Sequence, residues 1–466
     1  MNATCSFSTL RPFHLETSPG LGSADFVSAV EVVESAASYF GKVPKTEKIL
    51  KGYMYFARKR YLDRLVAHKH NHMVKVVTGI RRSGKSFLLF NIFYKHLINE
   101  GVADDHIIMI DLENRRNKTL RDPDALMKYI DDHIKDGGMY YVMLDEIQLV
   151  SEFEDVLNSY VKMPNVDVYV TGSNSRFLSR DVITEFRGRG DELRIYPLSI
   201  SEIAEAMPEL GWEQLWQKYL RYGGLPLTIL SPSDEDRESY LKLLFKETYI
   251  RDIVERNSVQ NDMALETLLD IVSSSIGSMT NPSKLERSFN SLGKVSLSAS
   301  TIKGYLDYLE DAFLISRASR YDVKGKRYIS TPFKYYFTDV GLRNARLNFR
   351  QIEETHLMEN VIYNELLVRG YSVDVGIVEL RKGDDRKQVE IDFVANRGSQ
   401  RYYIQSAYAL PTEEKQQQEV RPLRAVGDSF KKIVVVKDDI LLRRDDYGIV
   451  TLGLRQFLTD DNSLNL

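Results

Sequence analysis

The stretch VKVVTGIRRSGKSFLLF, residues 74–90, decides how the rest of the sequence is interpreted. An apolar run rich in β-branched residues comes first, followed by a Gly-x4-Gly-Lys-Ser loop and an apolar segment with helical spacing. A strand, this loop and a helix in that order are the context that a phosphate-binding P-loop requires. Glycines let the backbone approach phosphate closely, so that its N–H groups point inward. The stretch therefore predicts a nucleotide site.

The predicted nucleotide-binding residues run through this loop and onto the helix. We expect Lys85 to reach the β- and γ-phosphates of ATP and Ser86 to bind Mg²⁺. A glycine-rich turn with an exposed lysine is the alternative. The full predicted set is Gly79, Ile80, Arg81, Arg82, Ser83, Gly84, Lys85, Ser86 and Phe87.

The stretch YYVMLDEIQ, residues 140–148, supplies the predicted acidic partners. Asp145 ends an apolar run that reads as a buried strand, and ligands of open α/β sheets bind at that end of the strands. We expect Asp145 to hold Mg²⁺ through the ion's water. Glu146, the next residue, is the predicted general base that polarises the attacking water.

Two further residues are expected at the same edge. Asn174, in VYVTGSN (168–174), is predicted to hydrogen-bond the γ-phosphate or the water, with Ser173 as second choice and a simple turn as the alternative. Arg189 precedes the last predicted strand and is the predicted arginine finger, in cis or from a neighbouring subunit. Arg187 is the less favoured choice, and a surface salt bridge is the alternative for both.

Composition limits the class of protein. The chain has 466 residues, 43% of them hydrophobic and 28% charged, with a net charge of -3; this is ordinary for a globular protein of roughly three domains. One cysteine, Cys5, excludes a disulfide framework. The sequence holds no apolar run near the roughly 20 residues that span a bilayer, and no secretory signal begins it. We expect a cytoplasmic protein without membrane contact.

The stretch VEIDFVANRGSQRYYIQSAYAL, residues 389–410, predicts two strands joined by a polar turn. Metal-dependent nucleases of the PD-(D/E)xK type carry an Asp on one strand and (Asp or Glu)-x-Lys on the next. Asp392 matches the first element. The second strand offers residues 405–407, Gln-Ser-Ala, and so lacks the lysine.

A degenerate nuclease site is therefore expected. Because side chains alternate along a strand, we expect Gln405 to share a face with Asp392 and with Glu359 or Glu365 of the preceding helix. The predicted set is Glu359, Asp392 and Gln405, with Lys415 as a less favoured substitute for the lysine. Such a scaffold binds rather than cuts; a solvated strand edge is the alternative.

Residues 317–350 are net basic, with tyrosines interleaved. Two helices followed by a hairpin give a winged-helix order, and a wing of this composition is a predicted contact for DNA or RNA. The alternative is a solvated hairpin whose aromatic side chains pack inward. The basic residues are Arg317, Arg320, Lys324, Lys326, Arg327, Lys334, Arg343, Arg346 and Arg350.

The motifs together resemble a known family. RKRYLDRL, VVTGIRRSGKS, MLDEIQ, TGSNSRFLS, YPLSISE, YGGLP and YIRDIVER look like the AAA-type prokaryotic ATPases that carry a C-terminal domain of unknown function. The stretches YDVKGKRYISTPFKYYFTDVGLRNA and EIDFVA resemble that C-terminal domain. The match runs from about residue 54 to 458 in unbroken motif order. It implies a P-loop ATPase, then a winged helix, then a nuclease-like fold.

The expected fold class is α/β: a P-loop parallel-sheet ATPase domain, a helical and winged-helix region, and a small α/β nuclease-like domain. The expected function is Mg²⁺-dependent ATP hydrolysis coupled to nucleic-acid binding or remodelling, with self-association at the site. A nucleotide-dependent switch for a protein partner and an ATP-dependent nuclease are the alternatives. The predicted domains are 1–52 (poorly ordered extension), 53–200 (ATPase), 201–258 (helical lid or linker), 259–350 (winged-helix-like) and 351–466 (nuclease-like).

Overall fold

The computed structural model describes residues 56–172, 190–292, 297–382 and 385–466. The predicted extension over residues 1–52 lies outside these ranges. So do Ser173, Asn174, Arg187 and Arg189, whose predicted roles rest on the sequence alone.

A parallel five-stranded sheet in the order β2-β3-β4-β1-β5 forms the first part of the fold. Strands β1, β3 and β4 are buried along their whole length, as expected of parallel strands covered on both faces. One apolar cluster lies on each face. The strands are β1 (Val74–Gly79), β2 (Ile107–Asp111), β3 (Tyr140–Asp145), β4 (Val166–Gly172) and β5 (Gly190–Ile195).

The helices of this part alternate with the strands, as the sequence predicts. Asp122 caps α3 by accepting a hydrogen bond from the Ala125 N–H, and proline follows at the first helical position. The helices are α1 (Lys59–Ala67), α2 (Lys85–Phe87, π-helical Leu88–Phe93, Tyr94–Asn99), α3 (Pro123–His133) and α4 (Phe153–Tyr160), with 3-10 turns at Asp104–His106, Arg115–Arg121 and Ile147–Leu149.

A helical region follows and shares one large apolar core with the C-terminal part. The YGGLP stretch ends α6, and the Gly224 N–H donates to Asp339 Oδ2 over 2.8 Å. Ser298 accepts a hydrogen bond from the Thr301 N–H and so caps the last helix of this region. The helices are α5 (Ile200–Ala206), α6 (Trp212–Tyr222), α7 (Pro226–Leu230), α8 (Asp234–Leu243, π-helical Leu244–Ile250, Arg251–Asn257), α9 (Asp262–Ser274), α10 (Pro282–Leu292) and α11 (Ala299–Asp311).

A mixed eight-stranded sheet in the order β12-β13-β11-β10-β9-β8-β6-β7 completes the fold. The strands are β6 (Ile315–Asp322), β7 (Arg327–Phe337), β8 (Ser372–Lys382), β9 (Asp385–Arg397), β10 (Gln400–Ala407), β11 (Lys431–Val436), β12 (Arg443–Arg444) and β13 (Val450–Gly453). The helices are α12 (Val340–Arg346), α13 (Glu354–Val368), α14 (Glu413–Arg424) and α15 (Leu454–Thr459).

The β6–β7 hairpin, expected as a separate wing, is part of this sheet. Residues 320–322 of β6 pair in parallel with residues 375–377 of β8. Residues on either side of the expected boundary at 350/351 therefore share one hydrogen-bonded sheet. Within the described ranges, no helix has both the length and the apolar character that a membrane crossing needs.

Candidate functional site

The predicted phosphate loop connects β1 to α2. Gly79 and Gly84 have positive φ angles of 139° and 93°, which glycine adopts without steric cost. A Cβ atom at Gly79 would lie 2.1 Å from the carbonyl oxygen of Ile195, so no larger residue fits there. A Cβ atom at Gly84 would meet nothing within 4 Å. The loop therefore has open space beside Gly84.

Lys85 is buried within this loop. Its Nζ lies 3.2 Å from the carbonyl oxygens of both Gly79 and Ile80. Burial lowers the pKa of the Lys85 ammonium because the charged form loses hydration. The buried hydroxyl of Ser83 has no hydrogen-bond partner among the described residues. A buried cation beside an unpaired hydroxyl fits an anionic ligand such as a phosphate group.

Ser86 and Asp145 meet at the carboxyl ends of β1 and β3. Ser86 Oγ donates to Asp145 Oδ1 over 2.9 Å, and the Thr171 hydroxyl donates to the same oxygen. Burial, and then the neighbouring charge of Glu146, raise the pKa of Asp145 to about 7. The buried carboxylate would therefore gain from a nearby cation.

These groups fit Mg²⁺ shared with a nucleotide. Mg²⁺ at such sites takes one or two protein ligands and completes its shell with phosphate oxygens and water. Within the part of the chain that the structure describes, no three His, Cys, Asp or Glu residues form a metal site by themselves. A hydroxyl and a carboxylate 2.9 Å apart suit the shared arrangement instead.

Glu146 is held in place from two sides. Its backbone lies in the left-handed region, with φ 53°. Its N–H donates to Thr171 Oγ1 over 2.9 Å, and Gln148 donates from Nε2 to its carboxylate. Thr171 reaches both acidic residues because β4 lies next to β3 in the sheet.

Thr171 is a site residue that the sequence analysis did not select. The signal was present, since a polar residue ends a buried strand. The prediction assigned that signal to Asn174 and Ser173, which lie beyond the described residues. The structure gives Thr171 direct contacts with Asp145 and Glu146.

Helix α8 also reaches the phosphate loop, which the sequence analysis did not predict. Arg81 Nη2 lies 2.9 Å from Asp252 Oδ1. The Tyr249 hydroxyl donates to the Arg81 carbonyl oxygen over 2.8 Å. Of the other predicted loop residues, Ile80 lies in the core and Phe87 is exposed.

The second predicted site contains an unexpected lysine. Lys334, on β7, is buried, and its Nζ lies 2.7 Å from Glu359 Oε1, 2.5 Å from Glu390 Oε1 and 3.9 Å from Asp392 Oδ1. We call these four residues the Lys334 cluster. The Tyr336 hydroxyl also donates to Glu359 Oε1, over 2.6 Å. The structure thus brings Glu359 and Asp392 together around a cation.

The charged groups of the Lys334 cluster lie close enough to shift one another's pKa values. Burial alone would lower the pKa of Lys334, but the carboxylates of Glu359, Asp392 and Glu390 together raise it. Burial, and then the charge of Glu359, raise the pKa of Asp392 well above its usual range. Asp392 Oδ2 also accepts a hydrogen bond from the Ser406 N–H over 2.8 Å. The Lys334 ammonium thus lies within 4 Å of all three carboxylates.

Gln405 does not lie on the face of the sheet that the sequence predicted for it. It pairs with Val434, and Ala407 pairs with Val436. These two valines and Ala407 pack in the apolar cluster under α14, whereas α13, which carries Glu359, packs in the main core. Because opposed strand residues share a face, Gln405 lies on the α14 face. It does not join Glu359 and Asp392.

Glu365 and Lys415, the two residues that the sequence left open as alternative members of this site, have other partners. Glu365 forms an ion pair with Arg369, with 2.7 Å between Oε1 and Nε. Lys415 pairs with Glu419 one turn further along α14. The sequence analysis listed Lys334 only as a wing residue, because nothing local reveals that β7 passes the acidic residues of α13 and β9.

The basic stretch over residues 317–350 is divided by the fold. Lys334 lies in the acidic cluster, Arg343 is fully buried, and Arg346 pairs with Glu266 and Asp270. Arg317 and Arg350 are exposed away from the hairpin tip. The rest of the exposed positive charge lies at the tip. The exposed residues there are Lys324, Lys326, Arg327 and Tyr328.

Comparisons with known proteins agree with this order of parts. Residues 71–204 match a family model described as an AAA domain. Residues 213–353 and 354–457 match two domains of unknown function, DUF8612 and DUF4143. An uncharacterized protein of Haemophilus influenzae is 32% identical over 385 residues, which cover 81% of this chain and 92% of the relative. The chain belongs to this family of AAA-type P-loop ATPases.

A second relative is less similar in sequence. An uncharacterized protein of Methanocaldococcus jannaschii is 26% identical over 403 residues, covering 83% of this chain and 85% of the relative. The family resemblance that the sequence indicates, and the P-loop parallel sheet, are thus confirmed. The winged-helix and nuclease-like assignments stay predictions.

The solved structures that match this chain are distant in both sequence and structure. The Aeropyrum pernix ORC1 protein in complex with DNA is 13% identical, with a TM-score of 0.26, and covers 63% of this chain and 93% of its own. AMPPCP-bound DnaA from Aquifex aeolicus is 14% identical, with a TM-score of 0.25, and the match covers 48% of this chain and 72% of the DnaA chain. Similarity at this level carries no argument about function.

Proposed function

We propose that this AAA-family protein binds ATP with Mg²⁺ and hydrolyses it. The observation that carries the proposal is the convergence of Lys85, Ser86, Asp145 and Glu146 at one edge of the five-stranded sheet. Ser86 and Asp145 are hydrogen-bonded to each other, and Thr171 contacts both acidic residues. Burial of Lys85 and Asp145 makes their charges costly without a ligand.

Each residue has a proposed task. The loop backbone and Lys85 bind the β- and γ-phosphates, and Ser86 and Asp145 hold Mg²⁺, which neutralises phosphate charge when bound. Glu146 accepts a proton from the attacking water as general base. Thr171 fixes the spacing between the metal-binding carboxylate and the base. Asn174 and Arg189 keep their predicted roles at the γ-phosphate.

Equilibrium binding of a fluorescent ATP analogue tests the first half of this proposal. Lys85→Ala should lose measurable binding, because the main phosphate cation is gone. Lys118→Ala, at an exposed lysine of the same domain, is the matched control and should bind like wild type. Equal binding by wild type and Lys85→Ala would contradict the assignment.

We propose further that the C-terminal scaffold does not cut nucleic acid. A nuclease site needs oxygen ligands that are free to hold Mg²⁺ and a cation near the nucleophile. Here the Lys334 ammonium forms ion pairs with the carboxylates of both Glu359 and Glu390. These two carboxylates therefore already share a cation, which would compete with a metal ion for their oxygens.

Incubation with plasmid and single-stranded DNA, in Mg²⁺ or Mn²⁺ with and without ATP, tests this. No cleavage above that of a Lys85→Ala Asp392→Ala double variant is expected. Cleavage that disappears in Asp392→Ala alone would overturn the proposal and restore the nuclease alternative.

A further inference from the structure

An ion pair connects the phosphate loop to the helical region. Arg81, the second residue after Gly79, places Nη2 2.9 Å from Asp252 Oδ1. Arg256 Nε lies 2.9 Å from the same oxygen. The two guanidinium groups thus share one carboxylate beside the loop. Nothing in the nucleotide chemistry proposed above requires this carboxylate.

The pair lies beside the phosphate site, because Arg81 is itself a residue of the phosphate loop. Burial, and to a smaller extent the charge of Arg81, lower the pKa of Lys85. Burial, and to a smaller extent the charge of Glu146, raise the pKa of Asp252 against the opposing charges of Arg81 and Arg256. The Arg81 side chain is 31% exposed, and its Nε is buried without a hydrogen-bond partner among the described residues. Arg81 therefore has donor capacity that Asp252 does not use.

The helix segment that carries Asp252 packs into the core shared with the C-terminal part. Tyr249, Ile250 and Ile253 flank Asp252 on α8 and are buried in one cluster with Leu306 and Leu309 of α11. The Tyr249 hydroxyl also holds the Arg81 carbonyl oxygen. A change at Arg81 thus acts on a helix that is packed against α11.

We propose that Asp252 and the terminal phosphate of ATP compete for Arg81. This rests on the proposed ATP site. Without nucleotide, Arg81 binds Asp252 and holds the Arg251–Asn257 segment of α8 against the loop. A triphosphate carries more negative charge than one carboxylate, so Arg81 turns to the terminal phosphate and the contact to α8 is released. Asp252 is then the positioning residue that couples nucleotide state to α8.

Nucleotide affinities test the competition. Asp252→Asn removes the competing charge and should tighten ATP binding by at least about fivefold, the lower end of typical coupling between sites. ADP binding should change less, because ADP lacks the terminal phosphate. In an Arg81→Gln background, Asp252→Asn should leave ATP affinity unchanged.

Two control variants keep the test specific. Asp252→Glu keeps the charge and should bind ATP like wild type. Glu255→Gln, on the same segment but paired with exposed Arg251, should have no effect. Thermal unfolding of each variant without nucleotide shows whether it is folded.

Hydrogen exchange gives a readout that is independent of affinity. ATP should speed amide exchange over residues 251–257 in wild type. In Arg81→Gln, exchange there should already be fast without ATP. Weaker ATP binding by Asp252→Asn, equal effects on ATP and ADP, or slower exchange on ATP binding would each overturn the proposal. Failure of wild type to bind ATP would instead defeat the proposed function.

Discussion

At the scale of single residues, Thr171 links the two acidic side chains of the nucleotide site. Thr171→Val removes the hydroxyl that donates to Asp145 and accepts from the Glu146 N–H. Misplacing a catalytic group by about 1 Å can cost about 10²-fold in rate. We expect kcat for ATP hydrolysis to fall by roughly that factor, with ATP affinity within a few-fold of wild type.

Steady-state ATPase assays of wild type, Thr171→Val and Thr171→Ser check this prediction. Thr171→Ser keeps the hydroxyl and should retain most of the activity. An unchanged kcat in Thr171→Val would show that the hydroxyl has no positioning role.

Lys334 is the second residue whose removal has a clear expected effect. Lys334→Met leaves the carboxylates of Glu359, Glu390 and Asp392 without their cation. Removing one partner of a buried ion pair typically costs about 3–5 kcal/mol of unfolding free energy. The loss should be larger at pH 8 than at pH 5, because the carboxylates can take up protons in acid.

Urea unfolding at both pH values measures this loss. Lys326→Met, at the exposed hairpin tip, is the control and should unfold like wild type. A Lys334→Met variant as stable as wild type at pH 8 would mean that the carboxylates need no cation.

Single residues also show the limit of the sequence analysis. Lys85, Ser86, Asp145 and Glu146 could be found because each lies in a contiguous stretch of strand and loop. Lys334 could not, because it reaches Glu359 and Asp392 only through the pairing of β6 with β8.

At the scale of elements, the last turn of α11 carries a partly buried acid, Glu310, whose negative charge is unfavourable. Burial raises the pKa of Glu310 to about 7, although Arg317 and Arg194 lower it. Its negative charge also lies in the last turn of α11, where the helix dipole disfavours anions. The folded state therefore holds this proton more tightly than the unfolded state, whose pKa is near 4.5.

The sign of the pH effect follows from that difference. The stability that protonated Glu310 contributes is complete below pH 4.5 and is lost as pH rises to about 7. Between these values the loss is at most about 1.4 kcal/mol per pH unit. Glu310→Gln should match wild type at pH 4 and be more stable at pH 8.

Urea midpoints at pH 4 and pH 8 measure the effect. Glu255→Gln, at an exposed acid in the last turn of α8, controls for the helix dipole alone. If Glu310→Gln gains no stability at pH 8, the positive charges of Arg317 and Arg194 offset the cost of the Glu310 charge, and its pKa is not raised.

Elements were predicted better than their assembly. Strands β1 to β4 of the first sheet match apolar runs in the sequence, as expected of parallel strands that are covered on both faces. The edge strand β5 does not, because it contains Asp191, Glu192 and Arg194. The β6–β7 hairpin was also expected, but its pairing with β8 was not, because strand order depends on long-range contacts. The face of Gln405 was missed for a related reason. A register irregularity in the β8–β9 pair falls beside Asp392, so simple alternation between β9 and β10 does not hold there.

At the scale of the whole molecule, the open question is what ATP hydrolysis drives. We predict that the hairpin tip contacts nucleic acid, because three of its exposed residues, Lys324, Lys326 and Arg327, are basic. Replacing all three with Ala should weaken DNA binding. It should also reduce the slope of log K against log salt by about 0.9 for each lost phosphate contact to duplex DNA.

Fluorescence anisotropy at several salt concentrations measures this, with Arg443→Ala Arg444→Ala on exposed β12 as control. If neither DNA nor RNA binds or stimulates hydrolysis, a switch for a protein partner becomes the better account.

The most direct test of the central claim is ATP turnover with Mg²⁺ by wild type and Glu146→Gln. Loss of a general base typically costs about 10²–10⁴-fold in rate. Glu146→Gln should lose that much turnover and still bind ATP, while Glu152→Gln, at an exposed glutamate with the same φ of 53°, should match wild type. Equal turnover by wild type and Glu146→Gln would contradict the account.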